Sequence, residues 1–161
     1  MKNTLQTSTY YIQRARFGEL SLELFYALAK LRQDVFIVEQ QSIYTDLDGL
    51  DSEAMHFLCW SSKLDGEQLI GYARYRCCEF DGQLKIERVV LAGEARGKGL
   101  GKQLMQAILK DIEAHHIGAA IGLSSQVAAQ AFYQGLGFVA EGKSYDDGGI
   151  EHITMYYAAN K

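Results

Sequence analysis

Hydrophobic positions along the chain fall into helical and strand periods that alternate in a readable order. Leu24, Leu28, Leu31, Val35 and Val38 recur at spacings of four and three, with Ser21 in the N-cap position and Glu23 in the first turn, so an amphipathic helix is predicted over about 20 to 39. Tyr44 to Glu53 is acidic and punctuated by glycine, which predicts a loop, followed by a strand over about His56 to Ser61. Lys63 to Gln68 carries Asp65-Gly66, a hairpin signal. Leu69 to Cys77 and Leu84 to Leu91 have the β-branched and aromatic content of strands and are separated by Asp81-Gly82, so the two are expected to pair antiparallel. From Gly99 the period becomes helical, with Leu100, Leu104, Ala107, Ile108 and Ile112 on one face. A buried strand over Ala119 to Leu123, a helix over about Gln126 to Gly135, and strands near Phe138 and over Ile150 to Tyr157 complete the series. Antiparallel strands first, then strand and helix in alternation, define a mixed α+β sheet.

The 161 residues contain no proline, low-complexity run or internal repeat, so a single domain over 1–161 is expected. A composition of 48% hydrophobic and 22% charged residues is that of a folded protein and leaves disorder out. No apolar run approaches the roughly 18 residues of a spanning helix. Met1 to Gln13 is polar and alternating, without the apolar core of a secretion signal, so the expected location is the cytoplasm. Cys59, Cys77 and Cys78 form neither a disulfide framework nor a metal-binding spacing and are expected to be reduced, buried small hydrophobes. The net charge of -4 argues against nucleic acid or an anionic membrane as partner and suits a cationic or amine substrate.

The chemistry-bearing segment is Arg96-Gly97-Lys98-Gly99-Leu100-Gly101-Lys102, between a predicted strand and a predicted helix. A glycine-rich turn at a helix N-terminus directs unpaired backbone N–H groups and the positive end of the helix dipole at one point, which suits a pyrophosphate. The Walker A pattern fails, because Gly101-Lys102 is followed by Gln103 and position 96 is arginine; the dinucleotide pattern fails at Lys102. Arg/Gln-x-x-Gly-x-Gly/Ala is satisfied at Arg96, Gly99 and Gly101. This segment resembles motif A of the GNAT N-acetyltransferase superfamily. Ala131-Phe132-Tyr133-Gln134-Gly135-Leu136-Gly137-Phe138, within Gln126 to Phe138, resembles its motif B. Leu31-Arg32, Val35-Phe36 and Glu39-Gln40, then Asp46, Asp48, Asp51 and His152, resemble the ElaA-like branch, so the resemblance spans nearly the whole chain.

The resemblance implies a mostly antiparallel mixed sheet with helices on both faces, and transfer of an acetyl group from acetyl-CoA to a primary amine, of a small molecule or of a peptide N-terminus or lysine, by direct attack in a ternary complex. It implies that Arg96 to Lys102, Gln126 and Phe132 hold the cofactor, and that backbone groups at Val89, Val90 and Leu91, on a strand that splays from its neighbour, bind the pantetheine arm and polarise the carbonyl. Gln126 departs from the asparagine of many relatives. Tyr133 matches the tyrosine that protonates the departing thiolate; the alternative is a core tyrosine. Glu87, nine residues before Arg96, matches a carboxylate that works as general base through water; the alternative is a strand carboxylate paired with Lys85 or Arg74. Arg88 is expected on the opposite strand face, in a structural role. Arg32, Tyr44, His56 and His152 are candidates for the acceptor pocket.

No metal site is expected. Asp46-Leu47-Asp48-Gly49-Leu50-Asp51 has its glycine misplaced for an EF-hand and lacks the closing glutamate, so it reads as a solvated loop, with amine recognition as the alternative. Family members often form homodimers, although no stretch of this chain forces an interface. Two other functions stay open: an acyl-CoA-binding module without catalysis, and another acyltransferase resembling the acyl-homoserine-lactone synthases.

Overall fold

The computed structural model describes residues 9–63 and 65–158. Seven strands form one sheet, β1 (Thr9–Arg16), β2 (Met55–Lys63), β3 (Gly66–Cys77), β4 (Leu84–Leu91), β5 (Ile121–Gln126), β6 (Phe138–Asp147) and β7 (Ile150–Tyr157), in the order β1-β2-β3-β4-β5-β7-β6. Only β4 and β5 run parallel; every other neighbouring pair is antiparallel. The helices are α1 (Leu22–Arg32), α2 (Leu100–His115) and the short α3 (Gln130–Gln134).

The hydrophobic period places the two long helices on opposite faces. Leu104, Met105, Ile108 and Ile112 of α2 pack on Phe57, Ala73, Tyr75, Ile86 and Leu123, whereas Leu28 and Leu31 of α1 pack on Leu58, Tyr72 and Val90. Ser21 caps α1 as expected, its hydroxyl accepting from the backbone N–H of Leu24 at 3.1 Å. The helix does not run regularly to 39: Gln33–Glu39 is π-helical, closed by a bond from the Gln40 N–H to the Val35 carbonyl at 2.9 Å. The wider turn buries Val35 and Phe36 side by side and leaves Val38 exposed.

Other boundaries also differ. Part of the polar start at 1–13 lies outside the described residues, over 1–8, and the rest belongs to β1, which pairs with β2 from Thr9↔Ser62 to Arg16↔Met55. The region expected to be one helix over 126–135 is a 3₁₀ turn (Val127–Ala129) followed by α3, because β5 extends to Gln126. Cys59 is buried as expected, but Cys77, at the end of β3, is exposed and Cys78 partly so.

Two irregularities in β4 create the site. The parallel ladder with β5 stops at Ile86↔Leu123, so the strands part beyond it. On the other side, Arg74 pairs with Glu87 and Tyr72 with Val90, leaving Arg88 and Val89 opposite the single residue Ala73. This is a β-bulge, and Arg88 carries the left-handed φ of 58° that it requires. No helix among the described residues is long and apolar enough to cross a membrane.

Candidate active site

The gap between β4 and β5 joins two cavities. One, of about 700 Å3, lies at the start of α2 and is lined by Gly97, Gly99, Leu100, Gly101, Lys102 and Phe132, among others. The other, of about 300 Å3, lies between β4 and the β6–β7 hairpin and is lined in part by Tyr44, Glu87, Arg88, Gln126, Tyr133 and His152. Val89, Val90, Leu91, Arg96 and Ala129 border both.

The larger cavity is mostly backbone and hydrocarbon, with Arg96 and Lys102 as its charged lining residues. Gly99 is the N-cap of α2 with φ 76°, a conformation that costs an L side chain strain, and nothing lies within 4 Å of where its Cβ would project. The first-turn N–H groups of the 16-residue α2 therefore stand open at the positive end of its dipole. A Cβ at Gly101 would come within 3.4 Å of the Phe132 ring, so small residues keep this mouth wide. Arg96 is fixed at the junction: its guanidinium donates to the Leu91 carbonyl at 3.0 and 3.2 Å and forms a two-point pair with Glu39 at 2.6 and 3.1 Å. Lys98 is exposed and does not line the cavity. An anion at the α2 N-terminus with an apolar tail along Leu91 and Phe132 fits this shape.

Tyr133 projects from α3 to the junction. Its ring packs edge-on against Phe132 and Phe138, and its hydroxyl makes no hydrogen bond among the described residues. No buried side-chain N or O atom among the described residues lacks a partner, so this hydroxyl must reach open space, and the open space beside it is the smaller cavity. Burial pushes its acidity constant up to about 12, so it is a neutral donor at physiological pH. Gln126, at the end of β5, donates to the Gln40 side chain at 2.9 Å, tying the π-helical segment across the gap.

Glu87 is not poised as a base. Arg74 donates to its Oε2 at 2.9 and 3.1 Å, Arg76 donates to both oxygens, and Lys85 lies 3.6 Å away. Burial alone would raise its carboxyl, but these cations outweigh it and hold the group below the usual carboxylate range. A carboxylate so stabilised is a weak proton acceptor. His152 is better arranged: its Nδ1 lies 2.7 Å from the Ile150 carbonyl, which can only accept, so Nδ1 is the donor and Nε2 is the ring nitrogen left to meet a ligand. The ring stacks on Tyr145 at 6.3 Å.

Arg32 and His56 do not line the smaller cavity. Both are fully buried behind its wall. Arg32 donates to the Asp46 carboxylate at 2.9 Å, to Asp51 at 2.7 Å and to the Asp46 carbonyl at 2.7 Å. His56 donates from Nε2 to the Asp51 carbonyl and accepts at Nδ1 from Tyr72, while burial lowers its pKa and keeps it neutral. The aspartates of the acidic loop are correspondingly paired rather than solvated. Asp46 and Asp51 are buried, and Arg74 bridges Asp48, Asp51 and Glu87 at 2.6, 2.7 and 2.9 Å. The aspartates answer arginines that the sheet carries into the interior, which a reading of the loop alone cannot reveal.

Arg88 also departs from expectation. The bulge cancels strand alternation, so Arg88 joins the same network as Glu87, pairing with Asp46 at 2.9 Å and Asp48 at 3.1 Å. Its guanidinium lies 5.4 Å over the Tyr44 ring, whose hydroxyl donates to Asp46 at 3.1 Å and is held protonated, chiefly by burial. Lys85, Arg88 and Asp147 line the cavity although sequence reasoning did not select them for it. The positive φ at Arg88 follows from pairing between distant strands. Among the described residues, no cluster of His, Cys, Asp and Glu is arranged to hold a metal ion.

A mixed sheet opened between two parallel strands, with a glycine loop on one side and a tyrosine on the other, defines an acyl-CoA N-acyltransferase fold. The chain belongs to the GNAT acetyltransferase family, whose domain model matches residues 27–159, and is an acyltransferase of its ElaA-like branch. It is 36% identical over 146 residues to Protein ElaA of Escherichia coli K12, a match covering 89% of this chain and 93% of that protein. The ElaA crystal structure superposes with a TM-score of 0.84, over 93% of this chain and 100% of the other. An acyl-CoA N-acyltransferase from Pseudomonas aeruginosa is 37% identical, with a TM-score of 0.83 and the same coverage. An aminoglycoside 6'-N-acetyltransferase complexed with coenzyme A, 13% identical, shares the fold with a TM-score of 0.64, covering 91% of this chain and 95% of that one.

Proposed function

We propose that the chain, acting as one domain, moves an acetyl group from acetyl-CoA to the primary amine of a small acceptor by direct attack in a ternary complex. The observation that carries this reading is the opening of β4 from β5 beyond Ile86↔Leu123, with the glycine loop at one mouth and the Tyr133 hydroxyl at the other. Acetyl-CoA supplies the thioester and its leaving thiolate. The start of α2 holds the pyrophosphate, while Leu91 and Phe132 flank the pantetheine arm. Backbone N–H groups on the β5-facing edge of β4, along Val89 to Leu91 beyond the end of the β4–β5 ladder, would donate to the carbonyl oxygen, where such donors are worth about 3 to 4 kcal/mol each as charge develops.

His152 Nε2 takes the proton that the amine loses, rather than Glu87. As the nitrogen–carbon bond forms and the carbon–sulfur bond breaks, Tyr133 passes its hydroxyl proton to the departing sulfur to give the CoA thiol, and regains a proton through solvent from the one held on His152. Glu87 keeps Arg74 and Arg76 in place and so shapes the wall. The site would work in a reducing compartment such as the cytoplasm, where Cys59, Cys77 and Cys78 stay free thiols.

The test is the thermal unfolding midpoint with acetyl-CoA, with NADH as control. Acetyl-CoA at about 100 times its dissociation constant should add roughly 2.7 kcal/mol of stability. A shift with acetyl-CoA alone, together with thiol release on adding amines, supports the reading. No shift at millimolar acetyl-CoA overturns it, and a shift with no release from a broad amine panel leaves a binding module instead.

A further inference from the structure

Two cations border the acceptor cavity without a full set of partners. Among the described residues Lys85 Nζ has one neighbouring carboxylate, Glu87 at 3.6 Å, whose oxygens already accept from Arg74 and Arg76, and the Lys85 side chain is 41% exposed. Arg88 uses Nε and Nη2 on Asp46 and Asp48, while its Nη1 makes no hydrogen bond among the described residues. The wall behind them does not cancel their charge. Arg32, Arg74, Arg76, Arg88 and Lys85 outnumber Asp46, Asp48, Asp51 and Glu87 by one cation, and of the cations lining the cavity Arg96 is already paired with Glu39, which leaves Lys85 and Arg88 on β4.

The β6–β7 side has the opposite character. Asp147 lines the cavity exposed and in no ion pair among the described residues, and His152, whose Nδ1 donates to the Ile150 carbonyl, has its Nε2 without a hydrogen bond among the described residues. The hairpin tip is held in this position: Ser42 Oγ donates to the Gly148 carbonyl at 2.5 Å, and a Cβ at Gly148, φ 64°, would lie 2.5 Å from that oxygen. The cavity is therefore polarised, with unsatisfied donors on β4 and an anion and a proton acceptor on the hairpin. Its volume of about 300 Å3 is at the small end of ligand sites.

We infer that the acceptor is a small amino carboxylic acid, whose carboxylate is held by Lys85 and Arg88 while its amine faces His152. This rests on the acetyltransferase reading and narrows its acceptor. It also separates the site from the molecule as a whole, since the net charge of -4 favours cationic ligands and the β4 wall favours an anionic group. A neutral pocket would treat an amine and its carboxylated counterpart alike, whereas a charge-assisted pair that forms with only one of them discriminates by about tenfold or more.

Thiol release from acetyl-CoA is to be measured with matched acceptors that differ by the carboxylate: glycine and methylamine, β-alanine and ethylamine, 4-aminobutyrate and propylamine, phenylalanine and phenethylamine. The expected result is a kcat/KM at least about tenfold higher for the carboxylated member of one or more pairs, and the best spacing measures the distance from the cations to His152. Lys85→Gln should then raise KM for that acid by about tenfold with little change in kcat, while the acetyl-CoA shift in unfolding midpoint stays at the wild-type value. Equal or better rates with the decarboxylated amines overturn the inference and leave the acetyltransferase intact. The inference also falls if no pair is turned over while acetyl-CoA still raises the midpoint, and absence of that rise counts against the underlying acetyltransferase reading itself.

Discussion

The two cavities on either side of the β4–β5 gap are made from different materials. The larger is backbone, glycine and hydrocarbon drawn mainly from Val89–Lys102 and Ala129–Leu136. The smaller is side chains, most of them charged or hydrogen-bonded, brought from the π-helical segment, the acidic loop, β4, β5 and the β6–β7 hairpin. A cofactor with one invariant pyrophosphate can be met by geometry that any sequence with the right glycines supplies. An acceptor must be met by functional groups, and these need a rigid support that keeps arginines and aspartates in fixed positions. The comparison teaches that the generic half of the site depends on local conformation and the specific half on long-range ion pairing, so they should fail in different ways.

The largest effect should come from the support of the specific half. Arg74 is fully buried and pairs with Asp48, Asp51 and Glu87, so Arg74→Met leaves three carboxylates facing only the remaining arginines. Removing one partner of such a buried network costs about 3 to 5 kcal/mol, to be read by denaturant unfolding. The same network fixes an acid limit. Asp48 is held at about 2, against an ordinary 3.8, and Asp51 and Glu87 are also held low by their arginines. Below the unfolded-state values the unfolded chain binds more protons than the folded one. Stability contributed by these carboxylates is thus complete above about pH 4.5 and is lost as pH falls toward 2. His56, lowered by burial, adds a loss in the same direction starting near its ordinary 6.5. Unfolding midpoints measured across pH 7 to 2 should decline throughout, and Arg74→Met should flatten the part below pH 4.5.

Next in size is Tyr133→Phe, which leaves the packing of the ring against Phe132 and Phe138 intact and removes only the hydroxyl. Loss of a positioned proton donor costs about a hundredfold in kcat. The acetyl-CoA dissociation constant should not follow, since the hydroxyl carries no hydrogen bond that holds the wall together. A parallel loss of cofactor binding would instead make Tyr133 part of the generic half. Gly99→Val should show the converse, a loss of acetyl-CoA affinity of about tenfold or more, because the left-handed φ of 76° strains a β-branched residue by about 1 to 3 kcal/mol. Isothermal titration separates this from a global effect if the denaturant midpoint moves less than the affinity.

What was legible in the sequence follows the same division. The strand over Leu84 to Leu91 and the helix that begins after Gly99 are local patterns, and the structure has β4 and α2 there. β1 was overlooked because an edge strand with one solvated face carries few apolar residues: Ala15 is its one fully buried side chain. The acidic loop looked solvated because its arginine partners come from α1, β3 and β4, far away in sequence. Arg88 was placed on the wrong face because alternation cannot anticipate a bulge created by pairing two residues against Ala73. His56 and Arg32 share the chemistry of pocket residues, but their burial depends on how α1 docks on the sheet, which periodicity does not encode.

The smallest effect is the one that joins the halves. Glu39 closes the π-helical segment and pairs with Arg96, and Gln40, next to it, holds Gln126 across the gap. Arg96 draws Glu39 below the usual carboxylate range, so the pair is ionised at neutral pH. Both side chains are about half exposed, at 48% and 44%, so water and salt screen the pair and its removal should hardly move the unfolding midpoint. A pyrophosphate at the start of α2 meets this carboxylate as a like charge and competes with it for Arg96. Glu39→Gln should therefore tighten acetyl-CoA binding by about two- to threefold at low ionic strength, and the gain should fade as salt is added. Weaker binding at every salt concentration would show the opposite coupling, with Glu39 holding Arg96 in the orientation that the cofactor uses.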